Sequence, residues 1–164
     1  MDDECFEGLK KTYGQSYSRE AWAKRERLFI SCCQKTNISF DMEFAVMKEL
    51  LYKLDVIFTQ AKLDLAVVSK KLGRYMYQLD EELKLNSLDA RKTGAVKNEA
   101  NAKAYAVKTI KEYKDDNGKS LYDYRNLYNE RSIFLSHVVD LVKMKKEMLI
   151  TESAILKLEA SLIE

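Results

Sequence analysis

The sequence predicts an all-α fold, an elongated helical bundle built on long heptad-patterned helices that assemble into an oligomer. Three observations carry that prediction. The 164 residues include no proline, and the 45 residues from Ser120 onward include no glycine. Through that glycine-free stretch Leu127, Phe134, Leu141, Met148, Ile155 and Leu162 recur every seven residues. A proline inside a helix costs roughly 3 kcal/mol and a glycine about 1, so nothing there interrupts a helix.

Residues 1–37 read as an arm followed by a short amphipathic helix. Gly8 and Gly14 punctuate a start with little periodicity, and a loose segment is expected up to residue 17. Ser18 is a suitable N-cap, with Glu20 in the first turn, for a helix carrying Trp22, Leu28, Phe29, Cys32 and Cys33 and ending near Lys35. Thr36, Asn37 and Ser39 mark a turn, with Ser39 as the next cap.

Residues 38–84 form the second, long helix. Phe44, Met47, Leu51, Leu54, Phe58, Ala61, Leu65, Val68, Leu72, Tyr75 and Leu79 alternate in steps of three and four. Val46, Leu50, Ile57, Val67 and Met76 widen the stripe beyond a strict coiled-coil seam, which suits packing against several neighbours.

Residues 85–119 form a basic connection and a third helix. The period fails from about Leu85 to Val96, where Asn86, Ser87, Thr93 and Gly94 supply turn chemistry. A helix over residues 95–114 follows, with Ala102, Ala106, Ile110 and Tyr113 on one face and Asn117-Gly118 as a left-handed stop. Residues 120–164 are the C-terminal oligomerisation helix, opened by Ser120-Leu-Tyr-Asp123, a capping-box variant. At 1.5 Å per residue it spans roughly 60 Å. Its second apolar column holds Tyr128, Leu135, Val142, Leu149, Leu156 and Ile163. One column is expected to face the chain's own helices and the other a partner copy, the alternative being an intramolecular bundle that covers both. Leaving a whole column in water would sacrifice on the order of 10 kcal/mol. The residues assigned to assembly are Leu127, Phe134, Leu135, Leu141, Val142, Met148, Leu149, Ile155 and Leu156.

With 46% hydrophobic residues the chain can build a core in one domain. It lacks the run of roughly 20 apolar residues a membrane span requires. Its acidic start is unlike a secretory signal, and a soluble, cytoplasmic protein is expected. Cys5, Cys32 and Cys33 form no CxxC pair; adjacent cysteines sit about 100° apart on a helix, so reduced thiols are expected.

Catalytic constellations are nearly absent, and no enzyme, cofactor or metal is expected. The one histidine, His137, lacks an ExxH companion for dinuclear carboxylate chemistry. Gly118-Lys119-Ser120 imitates the tail of a phosphate-binding loop, but Tyr113 stands where the first glycine belongs. As a calcium loop the same stretch fails, because Tyr113 and Tyr124 occupy positions needing carboxylates.

The net charge of +2 is unevenly spread. Residues 91–125 carry 9 basic and 5 acidic side chains, whereas the segments on either side are near balance. On a helical wheel Lys97, Lys108 and Lys111 cluster opposite the alanine face, Lys103 and Lys114 flank it, and Arg91 and Lys92 precede it. Tyr105, Tyr122 and Tyr124 add aromatic surface. Cations tracking a phosphate backbone beside rings that stack on bases are the composition of a single-strand binder; lysine-rich solvated faces are also common.

The stretch Asn98-Glu-Ala-Asn-Ala-Lys-Ala-Tyr-Ala-Val, then Lys111-Glu-Tyr, then Lys145, Lys146, Glu147, Met148, Leu149, Ile150, Ser153 and Ala154 in a long helix, resembles the bacteriophage UvsY-like recombination mediators over about residues 90–160. The resemblance implies a non-enzymatic helical homo-oligomer that binds single-stranded DNA and helps load a recombinase in place of single-strand binding protein. On that reading Arg91, Lys92, Lys97, Lys103, Lys108 and Lys111 hold phosphates and Tyr105 stacks on a base. The alternative is a helical structural, assembly or inhibitor protein that uses its heptads for protein contacts and has no role with nucleic acid.

Overall fold

The computed structural model describes residues 4–12, 18–39 and 41–163. Within them are five helices and no strand: α1 (Glu4–Lys11), α2 (Arg19–Gln34), α3 (Phe44–Lys92), α4 (Glu99–Glu112) and α5 (Leu121–Ile163). The protein is all-α. The chain divides into two compact units, one of residues 1–65 with 134–164 and the other of residues 66–133.

Several boundaries follow the local chemistry already read. Ser18 caps α2, its side chain accepting from the Ala21 amide at 3.2 Å, and Lys35 closes that helix. At the start of α5 the capping box is complete: the Ser120 amide donates to Asp123 Oδ2 at 2.8 Å, and the Asp123 amide donates to Ser120 Oγ at 3.3 Å.

Other boundaries differ. The N-terminal segment is not a loose arm, for α1 buries Cys5, Phe6 and Leu9 against α2. Gly8 belongs to that packing, since a Cβ there would come within 3.3 Å of Leu28 Cδ2. Gly14 lies outside the described residues. α3 starts at Phe44 rather than at a Ser39 cap, and it runs through the supposed connection to Lys92. Asn86 is tolerated there because its Nδ2 donates to the Glu82 carbonyl one turn back at 2.8 Å. The stop is Gly94, whose φ of +73° is the left-handed geometry that closes helices. α4 ends at Glu112, so Gly118, φ +71°, shapes the following turn instead of the helix end.

In the first unit, α1, α2, the first half of α3 and the last part of α5 share a core that includes Leu9, Phe29, Leu54, Ile57, Leu135 and Val142. Within this unit the buried positions of α3 are Met47, Leu50, Lys53, Leu54, Ile57, Ala61 and Asp64. Inside that stripe Asp64 pairs with Arg25 of α2, the side chains being 0% and 4% exposed. The guanidinium also donates to Thr12 Oγ1, to the Leu9 carbonyl at 3.3 Å and to Gln60 Oε1 at 3.3 Å. One polar cluster thus joins α1, α2 and α3. Trp22 and Phe29 meet Phe134 of α5 edge-on, with centroids 6.2 and 6.4 Å apart.

Cys5 and Cys32 are joined as a disulfide linking α1 to α2, with Cα atoms 6.0 Å apart, and Cys33 is a buried free thiol. The expectation of three reduced thiols is corrected. It weighed only the adjacent pair, whereas the packing of α1 brings a cysteine from 27 residues away within bridging distance.

The second unit is built from the rest of α3, all of α4 and the start of α5. Val68, Leu79, Ala90, Ala102, Ala106, Ile110 and Tyr128 are buried. Tyr75 stacks on Tyr124 and Tyr128 with centroids 5.0 and 5.5 Å apart.

Removing one member of a buried ion pair strands the other charge, so Asp64→Ala or Arg25→Ala should each lower unfolding free energy by about 3–5 kcal/mol. The double replacement Arg25→Met with Asp64→Leu should recover most of that loss. Urea unfolding of the three variants checks this; single variants as stable as the wild type would contradict it.

Candidate nucleic-acid interface

The basic residues singled out from the sequence lie in the second unit, on α4 and on the chain leading into it. α4 presents its small residues inward, with Ala102 and Ala106 fully buried. That lets it approach α3 closely enough for Ser87 Oγ to reach the Ala102 carbonyl at 3.5 Å. Asn98 caps its N-terminus by accepting from the Asn101 amide at 2.8 Å.

All of the proposed phosphate-contacting side chains are exposed: Arg91, Lys92, Lys97, Lys103, Lys108 and Lys111. Their settings differ from the single basic face drawn on a wheel. Arg91 and Lys92 sit in the last turn of α3, where cations favour the helix dipole. Lys97 precedes the N-cap and is not part of α4. Lys103 pairs with Glu99 at 3.3 Å and Lys108 with Glu112 at 3.8 Å. Such exposed pairs contribute only about 0.3–0.5 kcal/mol, so both lysines can exchange their partner for a phosphate. Tyr105 is 46% exposed, as a stacking residue must be. Tyr124 is withdrawn from that role by its stacking on Tyr75 and its hydrogen bond to Asp115.

A second basic element went unrecognised in the sequence. Lys111, Lys114, Ser120, Tyr122, Asp123, Arg125 and Asn126 line a cleft of about 340 Å³ where the end of α4 meets the start of α5. Lys111 Nζ lies 5.5 Å and Arg125 Cζ 5.4 Å from the centre of the Tyr122 ring. Arg125 closes the basic segment 91–125 but has no assigned role in the sequence, because nothing there places it beside Lys111 until α4 packs next to the start of α5. A larger groove in the same unit, about 560 Å³, is lined by Tyr77, Glu81, Glu82, Asn86 and Tyr113; its carboxylates disfavour a polyanion.

The turn below the basic cleft is rigidly held. Asp115 accepts from the amides of Asn117 and Lys119 at 2.9 and 3.0 Å and from the Tyr124 hydroxyl at 2.5 Å. That hydroxyl, with the two amides, holds the Asp115 carboxyl below the ordinary aspartate value of 3.8. Asp123 is also held far below that value, first by Lys114 and then by Ser120. Both carboxylates stay charged through the neutral range.

The assembly residues divide. Leu135, Val142 and Leu149 are buried within the chain, and Leu127, Phe134 and Leu156 are half-buried. Buried in the chain's own core, the first three offer no surface to a partner, which corrects their assignment to assembly. Leu141, Met148 and Ile155 remain 37%, 45% and 43% exposed, and Leu162 85%. Two residues of the family-like motif turn inward: Leu149 is buried, and Lys145 Nζ caps the end of α2 by donating to the carbonyls of Cys33 and Thr36 at 2.8 and 3.1 Å. Among the described residues no cluster of three or more His, Cys, Asp or Glu is placed to hold a metal ion, and no helix is long and apolar enough to cross a membrane.

Because Asp115 and Asp123 have depressed pKa values in the folded state, they stabilise it above the unfolded value of 3.8, and that contribution disappears as pH falls through their folded values. Thermal melting from pH 7 to pH 2 should therefore drop more steeply below pH 4 for the wild type than for Asp115→Asn or Asp123→Asn. Parallel curves would exclude the two carboxylates. No family model, curated protein or solved structure matches this chain.

Proposed function

We propose that the chain is a non-enzymatic, self-associating protein that binds single-stranded DNA, in the manner of the UvsY-like mediators it resembles, helping a recombinase replace single-strand binding protein. The observation that carries this reading is the exposed cationic series of α4 and its approaches beside the exposed ring of Tyr105. Those lysines face solvent while the alanine face is buried. Glu99 and Glu112 hold Lys103 and Lys108 only weakly, which leaves both available to phosphates.

Self-association is supported by the column Leu141, Met148, Ile155 and Leu162, with Met144 and Leu158 beside it, all exposed. An apolar series of this length in water is characteristic of an interaction surface. Gathering several copies would convert one weak basic site into a strong one through effective concentration.

Fluorescence anisotropy with a labelled single strand should show binding that weakens steeply with salt, with a logarithmic slope of about −0.7 per phosphate contacted. Lys97→Glu together with Lys108→Glu should reduce both affinity and slope. No binding at low salt would favour a purely structural or inhibitory helical protein. In light scattering the wild type should exceed the mass of one chain, and Leu141→Asp with Met148→Asp should lower that mass; a monomeric wild type would remove the assembly element from the proposal.

A further inference from the structure

We infer that the cleft of Lys111, Lys114, Tyr122 and Arg125 is a nucleotide subsite, in which Lys111 and Arg125 hold one phosphodiester of a single strand and the Tyr122 ring receives the adjoining base. The inference rests on the single-strand reading above and extends the α4 cations onto the start of α5.

Among the described residues Lys111 and Arg125 form no ion pair with a carboxylate, in contrast to Lys103 and Lys108 on the same unit. The one carboxylate in the cleft, Asp123, is engaged by Lys114 at 2.7 Å and by the Ser120 amide and hydroxyl at 2.8 and 2.9 Å. With three cations and one anion, the cleft has a net charge of +2. A phosphodiester entering it meets two cations whose charges are uncompensated.

Both cations lie over Tyr122. A charge-assisted hydrogen bond to a phosphate is stronger than an exposed cation–π contact, so a phosphate outcompetes the ring for each cation. Drawing Lys111 and Arg125 onto a phosphate uncovers the aromatic face, and base stacking then has a platform. Asn126, whose Oδ1 accepts from Arg125 Nη2 at 2.8 Å, holds the guanidinium at the mouth of the cleft. At about 340 Å³ the space suits a single small group rather than a duplex.

The capping box and the Asp115 network fix the backbone on which Tyr122 and Arg125 stand. The entropic cost of binding is therefore confined to the side chains, with no loop to order.

The test combines anisotropy on a labelled oligothymidylate with photo-crosslinking of a short strand bearing 5-iododeoxyuridine, using full-length protein whose melting temperature is checked for each variant. Tyr122→Leu should weaken binding roughly tenfold with the salt slope unchanged, and Tyr122→Phe should restore it. Arg125→Gln should weaken binding and reduce the slope by about 0.7. The crosslink should map to the segment 120–126. Wild-type affinity in both variants, with no crosslink in that segment, overturns the subsite while leaving the single-strand reading intact. An effect of Arg125→Gln without one of Tyr122→Leu overturns the base-stacking half and marks an anion site that free phosphate should occupy in competition. If no strand binds at low salt, the single-strand reading falls and the subsite falls with it.

Discussion

A guanidinium and a carboxylate taken out of water organise the first unit. Arg25 and Asp64 are fully enclosed, and each would be strongly destabilising without the other. Because the guanidinium also serves Thr12, Gln60 and the Leu9 carbonyl, it specifies which turns of α1, α2 and α3 meet. Apolar contacts such as Phe29 with Phe134 tolerate small slips of one helix along another. A fork of directed donors does not.

The two long helices solve a common problem in different ways. α3 distributes a broad apolar surface over both units, burying Met47 to Ala61 in one and Val68, Leu79 and Ala90 in the other. α5 separates its two columns by use. Leu135, Val142 and Leu149 complete the chain's own core, while Leu141, Met148 and Ile155 stay in solvent. The chain buries the second column from Tyr128 to Leu149 by itself, and the exposed part of the first, from Leu141 onward, is the element we assign to contact between copies.

The second unit couples structure to charge through small residues. Ala102 and Ala106 allow α4 to lie close to α3, and that proximity leaves the long cationic side chains no direction except outward. At its far end the Asp115 turn brings Lys111 beside Tyr122 and Arg125. Aromatic residues in this unit have two separate uses. Tyr75, Tyr124 and Tyr128 stack as part of the structure, and Tyr105 and Tyr122 stand beside the cations.

Helix type, the Ser18 and Ser120 caps and the two-column character of α5 were legible in the sequence because they depend on local chemistry and on a period of 3.6 residues. The length of α3 was not. Asn86 and Ser87 read as turn residues, yet a side-chain hydrogen bond to the preceding turn and packing on α4 hold them helical. Asp64 lies in register with Ala61 and Val68, but a charge in an apolar stripe has no meaning until its partner arrives from α2. The same holds for the Cys5–Cys32 bridge and for Arg125, whose neighbours are distant in sequence. The sequence by itself determined that the chain is helical and where several helices begin. Only the tertiary structure decided which column of α5 is buried, which charges are enclosed and which cations share a cleft, since burial and electrostatic partnership depend on contacts between segments that periodicity does not encode.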